Sequence, residues 1–105
     1  MVLPASPVER LSKVVFGQIH RLSVMVWIAD SDGVVNPGEM ASDLGFVAQS
    51  AIQNPLRDLV EAGLLLRLPT ASGKTYYQRV DSVAWEFAKE LKSRVEEAPE
   101  RRASV

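Results

Sequence analysis

The chain has 105 residues, enough for one domain, and its 47% apolar and 24% charged residues are those of an ordinary globular protein. It has no cysteine, which excludes a disulfide framework, a thiolate metal site and a cysteine nucleophile, and its net charge of −1 is not the basic balance of a strong nonspecific nucleic-acid binder. The apolar run Val24 to Ala29 is too short to cross a bilayer and Met1 to Pro7 lacks the features of a secretory signal, so a cytoplasmic protein with no membrane association is expected.

In chain order, residues 1–7 carry two prolines and read as a flexible N-terminus. Val8, Leu11, Val14 and Val15 then have helical spacing, with Pro7 just inside the start and Gly17 as a break. A second helix is predicted from about Gln18 to Ala29. Ile19, Leu22, Met25, Val26 and the apolar residues between them make it apolar on most sides, which marks a buried central helix. Asp30-Ser31-Asp32-Gly33 supplies turn chemistry, and Val34-Val35 is a very short extended piece. Asn36-Pro37-Gly38-Glu39 starts a third helix with an N-cap, a proline at the first helical position and a glutamate placed for a capping box. Gly45 stops it.

The fourth helix is predicted from about Ala48 to Ala62, before Gly63. Its inward face is Ile52, Leu56, Leu59 and Val60, and its opposite stripe is Ser50, Gln53, Asn54 and Arg57. Pro55 falls inside it, so either the helix kinks or it starts at Asn54. The kinked form is the expectation. Leu64 to Leu68 and Lys74 to Val80 read as strands around the hairpin loop Pro69 to Gly73. A last helix runs from about Asp81 to Val95 with Ala84, Phe87, Ala88, Leu91 and Val95 as one seam, and residues 96–105 read as a flexible tail. The fold class is mainly α with a small β-hairpin, in the order α-α-β-α-α-β-β-α. Two short helices around a turn, followed by a hairpin, define a winged helix-turn-helix domain over residues 8–95.

At this point the sequence resembles a known family. Leu44-Gly45-Phe46, Gln49-Ser50-Ala51-Ile52 and Leu56-Arg57-Asp58-Leu59-Val60-Glu61-Ala62-Gly63-Leu64-Leu65 resemble the helix-turn-helix of the ArsR/MarR-type winged-helix regulators. Gly73-Lys74-Thr75-Tyr76-Tyr77-Gln78-Arg79-Val80 is similar to that family's wing strand, and Gly17-Gln18-Ile19-His20-Arg21-Leu22 to the start of its second helix. The resemblance covers roughly Leu11 to Leu91. It implies a homodimer built from the first and last helices, a recognition helix in the major groove and a wing on the adjacent backbone. The metal-sensing members place cysteines before the recognition helix; none is present here, so metal sensing is not carried over and no cofactor is expected.

The residue chemistry fits that frame. Asn and Gln pair bidentately with adenine, Arg with guanine, and Ser with phosphate or base. The expected DNA-binding residues are Gln49, Ser50, Gln53, Asn54 and Arg57 on the helix at about 48–62, with Lys74, Thr75 and Arg79 on or beside the wing at about 69–75. Arg67 is a further cation near the hairpin. From Gln49 to Val80, Arg57, Arg67, Lys74 and Arg79 against Asp58 and Glu61 leave an excess of two positive charges, a small footprint that predicts modest, salt-sensitive affinity. The expected dimer interface is Val8, Leu11, Val15, Ala84, Phe87, Ala88 and Leu91.

Two weaker patterns stand beside these. Asp30, Asp32, Gly33 and Glu39 echo the later part of an EF-hand loop, but the first ligand position falls on Ile28, and a turn plus a cap accounts for the same residues. His20, the only histidine, sits on a buried helix with no catalytic partner in evidence, and no catalytic residues and no metal site are expected. The function these observations support is a sequence-specific, double-stranded-DNA-binding transcription regulator, homodimeric and nucleoid-associated in the cytoplasm. The alternative is a winged-helix module that binds another protein and not DNA.

Overall fold

The computed structural model describes residues 6–46, 50–69 and 73–103. Its elements are α1 (Pro7–Phe16), α2 (Arg21–Asp30), β1 (Val34–Val35), α3 (Pro37–Leu44), α4 (Ser50–Glu61), β2 (Leu65–Leu68), β3 (Tyr76–Arg79) and α5 (Val83–Ala103). This is the winged-helix order that the sequence predicts. None of the helices among the described residues is long and apolar enough to cross a membrane.

α1 starts in a full capping box: the Ser6 hydroxyl accepts from the Glu9 amide while the Glu9 carboxylate accepts from the Ser6 amide. α2 begins later than its apolar spacing suggests, because residues 17–20 form the turn. His20 gives no side-chain cap there. The buried Ser12 hydroxyl of α1 accepts the Leu22 amide instead, at 3.0 Å, and donates to the Gln18 carbonyl. One helix thus caps the next and fixes the angle between them.

α2 is the centre of the core. Leu22, Val24, Met25, Val26 and Ile28 are buried in it and pack with Val35, Met40, Ile52, Leu56, Leu59, Leu65, Trp85, Ala88 and Leu91. The Trp27 indole N–H donates to Asp43 Oδ2 at 2.9 Å, which ties α2 to α3. Asn36 caps α3 by accepting from the Gly38 and Glu39 amides, as the sequence predicts.

α4 runs without a break from Ser50 through Pro55 to Glu61, so it does not restart at Asn54. The missing Pro55 N–H leaves the Ala51 carbonyl without its usual helical donor, while the ring itself is fully buried in the core. The three strands form one antiparallel sheet in the order β1-β3-β2. Val35 opposes Tyr77 from one side and Arg67 opposes Tyr77 from the other. The turn into β1 requires Gly33, whose φ is +107° and whose absent Cβ would meet Gln78 Nε2 at 3.3 Å.

α5 extends to Ala103, past the Val95 limit set by the apolar seam, so the expected flexible tail is largely helical. Beyond Val95 there is no apolar side to reveal a helix by its period. Glu90 with Arg94 and Lys92 with Glu96 support the outer half as i,i+4 ion pairs.

A candidate nucleic-acid interface

α4 separates its two sets of side chains. Ile52, Pro55, Leu56 and Leu59 are buried, while Gln53, Asn54 and Arg57 are exposed. A groove of about 930 Å³ lies between α4 and the wing, with Ile52, Leu56 and Val60 of the helix's apolar face in its lining. Gln53 and Arg57 line it from α4, Arg67 from β2, and Gly73, Lys74, Thr75 and Tyr76 from the wing. The capped N-terminus of α3, Asn36 to Glu39, also lines it.

Four of the eight predicted reading residues therefore share one surface. Gln53, Arg57, Lys74 and Thr75 line the groove, and Asn54 is exposed on the same helix. Gln49 lies outside the described residues, as does hairpin segment 70–72, and Ser50 opens α4.

Arg79 is a correction. Its Nη1 donates to the carbonyls of Ile28, Ala29 and Ser31 at 2.9, 3.1 and 3.2 Å, so the guanidinium caps the C-terminal end of α2. Its backbone amide also donates to the Gly33 carbonyl at 2.7 Å. A cation at a helix C-terminus satisfies orphan carbonyls and favours the negative end of the dipole. The strand register carries the missed signal: Arg79 opposes Leu65, which is buried, so its side chain starts on the core side of the sheet. Arg67 takes its place at the groove.

The residues of the predicted dimer seam differ in exposure. Ala88 and Leu91 are buried in the chain's own core, and Val8, Leu11 and Ala84 pack against that core. α5 folds its seam down onto α2, while Val8, Leu11 and Ala84 keep part of their surface in solvent. Val15 and Phe87 remain exposed. With them are Val14 and Val83, which are 82% and 80% exposed, and Phe87 meets Phe16 edge-on with ring centroids 6.3 Å apart.

The acidic segment at the end of α2 is built as a turn. Asp32 Oδ1 accepts from the Val34 amide, Asp30 pairs with Lys89 at 3.4 Å, and Glu39 lies in the first turn of α3. Among the described residues no three carboxylate, histidine or cysteine side chains come together as a metal site. His20 packs against Phe46 with ring centroids 4.5 Å apart and the rings tilted by 52°, and it stands 3.9 Å from Glu9, at the α1–α2 corner.

No protein-family model and no curated protein matches the chain. Solved structures do match it. A MarR-family transcriptional regulator from Rhodococcus sp. RHA1 superposes with a TM-score of 0.68 at 21% identity, over 91% of this chain and 67% of that one. The reduced form of MarR from E. coli superposes with a TM-score of 0.58 at 18% identity, over 85% of this chain and 64% of that one. The chain thus spans about two thirds of the length of the structures it matches. At these identities the likeness establishes the fold, a winged helix of the MarR-like type.

Proposed function

We propose that the chain binds double-stranded DNA as a transcription regulator, with α4 reading base edges in the major groove and the wing on the adjacent backbone. The observation that carries this reading is the groove in which Gln53 and Arg57 of α4 face Arg67, Lys74 and Thr75. A helix that buries one face and holds Asn, Gln and Arg on the other has the donors and acceptors that base edges require. The cations across the groove suit phosphates, which position a protein on the duplex. The Rhodococcus protein of similar fold is a transcriptional regulator, in keeping with this assignment. A net charge of −1 does not oppose it, because only the facing surface meets the duplex.

Two copies would associate through the outer faces of α1 and α5, with Val14, Val15, Val83 and Phe87 as the apolar contacts. A twofold dimer then asks for half-sites about one helical turn apart. The same exposed valines favour a second reading, a module that meets another protein.

Fluorescence anisotropy decides between them. Duplexes from the upstream region of the chain's own gene are titrated with wild type and with an Arg57→Ala, Lys74→Ala double variant at two salt concentrations. Wild-type binding that weakens with salt and collapses in the variant supports DNA recognition by this face. If neither protein binds any duplex at low salt, the DNA reading fails and the protein-binding one takes its place.

A further inference from the structure

We propose that Asp58 is a positioning residue for the reading helix, holding the orientation of α4 through its ion pair with Arg21. The proposal deepens the DNA-binding reading and rests on it. Arg21 Nη2 donates to Asp58 Oδ2, joining the first residue of α2 to the last full turn of α4 across 37 positions of sequence.

The pair is asymmetric. The Arg21 side chain is 23% exposed and that of Asp58 47%. Arg21 Nε is buried with no hydrogen-bond partner among the described residues. The cation is therefore the more buried member, and a charge drawn out of water gains from its counter-charge.

α4 has reason to need such a tie. Its inner face is apolar, and hydrophobic contact sets depth without direction. Its backbone lacks one rung at Pro55, one turn before Asp58. A charged hydrogen bond is directional and acts next to Arg57, which lines the groove. A small rotation of the helix would carry Gln53 and Arg57 away from the bases they are to meet.

The rival account treats Asp58 as an acidic residue that merely lowers the positive potential of the reading face. The two accounts predict opposite signs. Without a positioning role, Asp58→Asn removes one negative charge near the phosphates and tightens binding. With it, Asp58→Asn loses about tenfold in affinity for the specific duplex, within the coupling range of contacting residues. Binding to a random duplex stays equal or tightens, and the salt slope keeps its wild-type value because no phosphate contact is lost.

The experiment uses the full chain. Wild type, Asp58→Asn, Asp58→Glu, Arg21→Gln and the Arg21→Gln, Asp58→Asn double variant are titrated against the tightest-binding upstream duplex and a random duplex of equal length. Amide hydrogen exchange of α4 is followed without DNA. We expect specific affinity to fall in Asp58→Asn and recover partly in Asp58→Glu. The double variant should be no worse than the worse single one, with faster exchange from Leu56 to Glu61. If Asp58→Asn does not fold, the conservative Asp58→Glu carries the test: it keeps the charge, so any loss of specific affinity with faster exchange in α4 reports geometry and not potential. Equal or tighter specific binding by the variants overturns the proposal. If wild type binds no duplex, the DNA reading has failed, and the exchange result decides: faster exchange in α4 upholds the positioning role, and unchanged exchange overturns it.

Discussion

α2 and α4 are helices of similar length, of 10 and 12 residues, and they are used in opposite ways. α2 is apolar on most sides and largely buried, and its polar ends are satisfied by other elements: Ser12 at the start, Arg79 at the finish. α4 buries one face and leaves Gln53, Asn54 and Arg57 in solvent. The contrast separates stability from recognition within one fold. Substitutions in α2 should act on folding and leave the intrinsic affinity of the folded fraction alone, whereas those on the outer face of α4 should do the reverse.

The largest expected effect lies in α2. Leu22→Ala or Ile28→Ala removes a fully buried side chain, and each should cost about 2–5 kcal/mol of unfolding free energy in a urea titration. If either variant kept wild-type stability while losing DNA affinity, the separation of roles would collapse.

Arg79 comes next and tests the boundary between the two roles. It sits on the wing strand yet serves α2. Arg79→Met should cost about 1.5–3 kcal/mol of stability, the range for hydrogen bonds to charged groups. The salt slope of DNA binding should stay unchanged. A slope reduced by about one would mark Arg79 as a phosphate contact after all.

Arg57→Ala sharpens the other side. Its stability should stay within about 0.5 kcal/mol of wild type, since the residue is exposed. Affinity for the specific duplex should drop by about 1–3 kcal/mol, the worth of a bidentate base contact. Equal affinity in anisotropy would remove α4 from the reading surface.

These contrasts also explain what could be read from sequence. The apolar run of α2, the Asn36-Pro37 start of α3 and the two faces of α4 are local patterns, and each led to the correct element. The same holds for the hairpin, whose strands and loop have distinct compositions. Long-range geometry was not legible. Arg79 looked like Lys74, because only the pairing with Leu65 shows that one cation turns toward the core. Ala88 and Leu91 looked like Phe87, because a seam on a helix does not say whether its own chain or a second one covers it. The Arg21–Asp58 pair spans 37 positions and leaves no periodic trace. The capping box at Ser6 and Glu9 was readable, with Ser two places before the first apolar residue and Glu three places on, but Pro7 drew attention as the start.

That capping box gives the smallest and most local prediction. The Glu9 carboxyl is held below its ordinary value of 4.5, chiefly by the hydrogen bond from the Ser6 amide, with burial opposing and with the Ser6 hydroxyl and His20 assisting. A lowered folded value means that the ionised form is the one the fold favours. Its contribution is therefore full above 4.5 and disappears as the pH falls through the lower folded value. Glu9→Gln keeps an acceptor for the Ser6 amide but has no charge to offer the helix N-terminus. It should be less stable than wild type by about half a kcal/mol at neutral pH, the scale of a first-turn carboxylate at a helix start. The deficit should close in the acid range, where wild-type Glu9 is itself protonated. Urea midpoints at pH 7 and in strong acid check this directly. A gap of the same size at both would mean that the carboxylate acts through its hydrogen bond alone, and that α1 is started by shape and not by charge.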